Sequence, residues 1–117
     1  MSLRTLVAAA LFAAIATAAL AAGSSAPFDY KPDPALKTES RGKLQERVRR
    51  ACNVTQAKLQ NTSEAAVSRP CGCYASRTLA ALDRAELEAY RSTGYFNDSA
   101  RAKALAAIDA CGLRRPI

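Results

Sequence analysis

Apolar side chains recur through the middle of the chain at helical steps. Leu44, Val48, Ala51, Cys52, Thr55 and Leu59 follow one another at intervals of three and four, which predicts one face of a first helix. That helix should start between Leu36 and Lys43 and run to about Gln60. Asn61 then suits its end, because asparagine tolerates the left-handed conformation there. A second stripe of Cys71, Ala75, Leu79 and Leu82 follows Pro70. Proline costs nothing in a first turn, where its missing N–H has no partner to lose, so Pro70 predicts the start of the second helix. The connection from Asn61 to Pro70 is expected to hold no more than a short helical turn over 64–68. Asp83-Arg84-Ala85-Glu86 reads as a capping box that opens a third helix, with Leu87 and Tyr90 inward and Gly94 as its stop. Tyr95 and Phe96 are expected to plug one end of the core. Asn97-Asp98-Ser99 caps a last helix with the stripe Ala104, Leu105, Ile108 and Cys111, and Gly112 ends it. No stretch alternates with a period of two, and nothing repeats. The expected fold is all-α, a small bundle of three to four short helices.

The first 35 residues follow a different pattern. Met1 to Arg4 carries one positive charge, Leu6 to Leu20 is apolar apart from Thr17, and Ala19-Leu20-Ala21 places small residues at the −3 and −1 positions of a signal-peptidase site. The apolar run falls short of the roughly 20 residues that a membrane span needs. Residues 1–21 therefore read as a cleaved signal peptide, and the mature product as not membrane-spanning. Residues 22–35 are rich in Pro, Ser and Gly; Pro27, Pro32 and Pro34 oppose regular helix, so this stretch reads as a flexible lead-in. Residues 36–117 remain as the folded domain.

Cysteine usage adds a covalent frame. Four cysteines, Cys52, Cys71, Cys73 and Cys111, in an exported chain predict two disulfides. A domain this short gains much from such staples, since it buries a modest share of its surface. On a helix, Cys71 and Cys73 point about 200° apart, at 100° per residue. One helix thereby offers a thiol to each of two neighbours, one bond going to Cys52 and the other to Cys111. Cys71 shares the stripe of Ala75 and Leu79 and should form the deeper bond, but either partner suits it. A bond between Cys71 and Cys73 themselves would close a small strained ring.

Charge narrows the function classes. The full chain carries a net charge of +7, and loss of Arg4 with the leader leaves +6. Arg41, Lys43, Arg47 and Arg50 crowd the first helix and are candidate contacts for an anionic partner, an envelope protein or a surface polymer; a solvated helix exterior has the same composition. The compartment disfavours nucleic acid. The chain has no histidine, which removes Ser-His-Asp and Cys-His catalysis, and the cysteine spacing is unlike a zinc site, so no metal or cofactor is expected. An alternative chemistry is thiol–disulfide exchange or redox sensing at Cys71-Gly72-Cys73, with the helix start and Arg69 lowering a thiolate pKa. A second alternative is a cationic envelope-active protein, which the modest apolar stripe argues against. Asn53, Asn61 and Asn97 each lie in an Asn-x-Ser/Thr sequon, and Arg47-Val48-Arg49-Arg50 looks like a processing site placed inside the first helix.

From Cys52 to Cys111 the chain resembles a loose group of small proteobacterial exported helical proteins. The elements that carry the likeness are the early Cys52, the helix-opening Cys71-Gly72-Cys73-Tyr74, the acidic helix with Glu86-Leu87, and the final Cys111. Asp83 stands where that group more often has Thr or Ser. The resemblance implies a periplasmic helical domain with structural disulfides and transfers no activity. The expectation is a periplasmic or secreted, non-enzymatic accessory or binding protein, released by cleavage near Ala21.

Overall fold

The computed structural model describes residues 30–116. The expected signal peptide and residues 22–29 of the lead-in lie outside the described residues. A 3-10 turn, Pro34–Lys37, precedes four helices: α1, Arg41–Leu59; α2, Glu64–Ala81; α3, Arg84–Thr93; and α4, Asp98–Ala110. Among the described residues there is no strand. The protein is all-α, with two disulfides, as the periodicity and the cysteines predict.

Short polar side chains start every helix by accepting an otherwise orphaned amide. Ser40 Oγ accepts from Lys43 N and Ser63 Oγ from Ala66 N, both at 3.2 Å. Asp83 and Glu86 form the full reciprocal box, each contact 2.8 Å long. Asn97 Oδ1 accepts from Ala100 N at 3.0 Å. Three predicted stops are left-handed: Asn61 at φ 53°, Gly94 at φ 78° and Gly112 at φ 71°.

Two boundaries depart from the sequence reading. The second helix starts at Glu64, not at Pro70, which sits inside it. Ser63 caps the earlier start, and the extra turns carry Val67, 2% exposed, into the cluster around Cys52 and Cys71. Burying that valine offsets the hydrogen bond that Pro70 cannot give to the Ala66 carbonyl. Order also begins earlier than Leu36. Asp33 caps the Ala35 amide at 3.0 Å, and Pro34 opens the 3-10 turn that drives Leu36, 4% exposed, into the core. Proline there pre-sets the helical φ rather than opposing it.

Two clusters make up the interior. Leu36, Leu44, Val48, Ala75, Leu79 and Tyr90 form one. Cys52, Ala57, Val67, Cys71, Ile108 and Leu113 form the other, and Tyr74 packs against both. Phe96 does close one end, its ring 5.1 Å from that of Tyr90, but Tyr95 points outward at 57% exposure. The buried face of α1 runs through Leu44, Val48, Cys52 and Gln56, a straight succession of i,i+4 steps. Ala51 and Thr55, expected on the core stripe, are exposed beside it.

Arginines close several carbonyl gaps between elements. Arg41 donates to Leu79 O at 2.5 Å near the end of α2. Arg91 donates to Leu36 O and Glu39 O, at 3.0 and 2.7 Å, and fixes the 3-10 turn to α3. Arg49 crosses from α1 to α2, donating to Ser68 Oγ at 3.1 Å while its Cδ passes over Gly72. A Cβ on Gly72 would meet that Cδ at 3.7 Å, an ordinary contact. Gly72→Ala should therefore relieve the entropic cost of a glycine inside a helix and stabilise the fold by about 0.5–1 kcal/mol. A rise in the urea midpoint with an unchanged slope is the expected readout.

Candidate functional site

The two disulfides fix two helices, α1 and α4, to α2. Cys52 of α1 bonds Cys71, with Cα atoms 5.6 Å apart, and Cys73 bonds Cys111 at the end of α4, 5.9 Å apart. No cysteine is free. Cys71 is fully buried, so the deeper bond is the one to α1. Cys71 and Cys73 face different neighbours and are not bonded to each other. They also lie well past the first turn of α2, beyond the range over which a helix N-terminus acts on a thiolate. Exchange between them would require breaking both existing bridges.

The four cations singled out on the first helix divide into two pairs. Arg41 is held by the Leu79 carbonyl. Arg47 bridges Asp33 at 2.8 Å and Glu39 at 2.6 Å, clamping the approach to α1. Its guanidinium lies well above its ordinary range because these carboxylates accept from it. Lys43 and Arg50 are exposed, and neither makes a salt bridge with the described residues. Only this second pair is available to an anionic partner at no cost to the internal bonds.

Ala51 and Thr55, left outside the core, form part of a groove. Its first lobe, about 280 Å³, is lined by Val48, Ala51, Thr55, Gln56, Tyr74, Tyr90, Tyr95, Phe96 and Ile108, among others. A second lobe of about 290 Å³ shares Tyr74, Tyr95, Phe96, Ile108 and Pro116 and adds Arg101, Ala104 and Leu105. Four of the five aromatic side chains among the described residues therefore line one surface. Burial pushes the Tyr74 phenol up, which keeps it neutral. The polar side chains of the lining are few, and no carboxylate is among them.

Gln56 builds one wall. Its amide pairs with the backbone of Arg114 in both directions, donating from Nε2 to Arg114 O at 2.7 Å and accepting from Arg114 N at 3.1 Å. Arg114 also donates to Leu59 O at 2.9 Å, and Leu113 is buried at 8% exposure. The chain after Gly112 is thus laid against α1, which carries Pro116 to the groove. The periodicity of α1 gives no hint of this role for Gln56. The one available signal was the pair of small side chains, Ala51 and Thr55, on an otherwise bulky stripe.

The fold also places the remaining motifs. Asn53 is buried at 8% exposure, so its sequon is closed in the folded protein, while Asn97 is engaged as a cap. Arg47-Val48-Arg49-Arg50 lies within α1, with Val48 5% exposed, so the folded chain does not offer it to a protease. Among the described residues no cluster of His, Cys, Asp or Glu comes together as a metal site, and no helix is long and apolar enough to cross a membrane.

Neither a protein-family model, nor a curated protein, nor a solved structure matches this chain.

Proposed function

We propose that this is an exported, periplasmic or secreted binding protein without enzymatic activity, and that its groove is the surface it presents to a partner. One observation carries the reading: an apolar, tyrosine-rich groove, lined in part by helices α1, α2 and α4, which two disulfides join. Tyrosine and phenylalanine give large contact area at small entropic cost, and such side chains dominate binding surfaces. Tyr74 stands on the twice-bridged α2, and Tyr90 and Phe96 pack into the core, so these rings are arranged before the partner arrives. Disulfides belong to oxidising compartments, and the leader-like residues 1–21 supply a route there. Lys43 and Arg50 add attraction for anionic surfaces, which makes association sensitive to salt.

The test is a photo-crosslinking amino acid placed at Tyr95 in the living source cell. Position 88 is the control, since Glu88 is exposed and lies two residues from the groove-lining Tyr90, on the other side of α3. Irradiation should give a discrete adduct from position 95 and none from position 88, in an extracytoplasmic fraction that begins near Ala22. Equal labelling from both positions, or full-length reduced protein in the cytosol, would overturn the proposal.

A further inference from the structure

We infer that the groove accepts an acidic peptide segment, with two apolar anchors in its two lobes and a carboxylate at the α4 end. This rests on the preceding reading that the groove is a binding surface. Each lobe falls just short of the ~300–1,000 Å³ of sites that enclose a small molecule, and both are open to solvent. Such a lobe suits one large side chain. Two lobes sharing Tyr74 and Phe96 suit two side chains of a single extended segment. The aromatic rings can cover the apolar groups of that segment.

Charge sets the sign of the peptide. Arg101 is the one charged side chain in the lining, and it makes no ion pair or hydrogen bond with the described residues. Lys58 and Arg50, exposed on α1 and without a salt bridge, lie outside both lobes and add only to the positive potential of the wider surface. Asp98, three residues before Arg101 on α4, is the carboxylate nearest in sequence and sits in the first turn, where the helix N-terminus complements it. A carboxylate entering beside Leu105 therefore meets the Arg101 guanidinium and displaces it from no existing ion pair. A basic peptide would set its charge against that guanidinium, with no carboxylate in the lining to offset it.

The protein contains no tryptophan, so a tryptophan in a peptide reports binding without background. The probes are two blocked hexapeptides that share one tryptophan and one leucine, one carrying two aspartates and the other two lysines. The acidic peptide should give a saturable blue shift of emission, and the basic one none. Arg101→Glu should weaken the acidic peptide about tenfold and admit the basic one, as charge complementarity requires. Tyr95→Ala, at an exposed site, should weaken acidic binding by a similar factor while circular dichroism stays unchanged.

No saturable shift, equal affinity for both peptides, or indifference to Arg101→Glu would overturn the inference. So would stronger binding of decanoate than of the peptide, or a concentration-dependent dimer that occludes the groove. A crosslink at position 95 with no peptide binding would sink this inference and leave the binding role standing. Peptide binding with no cellular crosslink would sink the cellular role instead.

Discussion

Removing the Cys52–Cys71 bridge with Cys52→Ala and Cys71→Ala should destabilise the domain more than removing the Cys73–Cys111 bridge in the same way. Loop length alone argues the reverse. The sequence separations are 19 and 38, which in the chain-entropy account give about 3 and about 4 kcal/mol, each doubling of the loop adding roughly 0.6 kcal/mol. Burial decides the order. Cys71 is fully buried and Cys52 is 6% exposed, whereas Cys73 and Cys111 are half-buried. Losing two packed sulfurs forfeits about 1–2 kcal/mol of transfer energy, with a cavity term added to it. With a cavity term of about 1 kcal/mol, the expected costs are about 5–6 kcal/mol for the first pair and about 4–5 kcal/mol for the second, whose half-buried sulfurs forfeit less. Urea midpoints of the two double variants, measured with the other bridge intact, check this. A larger loss from the Cys73–Cys111 pair would mean that burial is not the deciding factor.

Acid should remove a second large contribution, through Glu86. Its carboxylate is 2% exposed and is held from 4.5 down to about 2, first by the Asp83 amide, then by the Lys103 ammonium at 2.6 Å. A folded-state pKa below the unfolded value means that stability is fully present above about pH 4.5. It is lost as the pH falls towards 2, because the unfolded chain takes up the proton first. Glu86→Gln keeps the shape and gives up the ion pair. It should lower the thermal midpoint clearly at pH 6, with the gap to wild type closing near pH 2. The carboxylates of Glu39, Glu46 and Asp109 are also lowered by their arginine partners. Those pairs are more open to solvent and salt screens them, so repeating the titration at high ionic strength isolates the Glu86 share. A variant that tracks wild type across the whole range would show that the ion pair contributes nothing net.

What the sequence made legible was local chemistry. The capping box at Asp83, the cap at Asn97 and the stops at Asn61, Gly94 and Gly112 each depend on a few adjacent residues, and each stands where the pattern puts it. The start of α2 departs from the sequence expectation because Pro70 is a strong local signal. The burial of Val67, which extends the helix past it, depends on residues brought together only by folding. Helical periodicity separated Cys71 from Cys73 by direction but did not say which neighbour lies on which side. The groove was hidden for the same reason. Whether Ala51 and Thr55 end inside or outside follows from the line that α1 takes along α2, and the pairing of Gln56 with Arg114 joins residues 58 apart. Among the cations, composition could not distinguish Arg41 and Arg47, bound within the fold, from Lys43 and Arg50, which face solvent.

The bridges join the first cysteine to the second and the third to the fourth, so their loops neither nest nor cross. A polypeptide oxidised in order of emergence, N-terminus leading, reaches that linkage by closing each thiol onto its immediate predecessor. No mispaired sulfur need then be reopened, and a slow shuffling phase has no part in maturation. The nearest error, Cys73 taken in place of Cys71, is opposed once α2 winds, since that turn of helix carries Cys73 away from Cys52. In the cell, the yield of native bridges should accordingly be indifferent to loss of the disulfide isomerase.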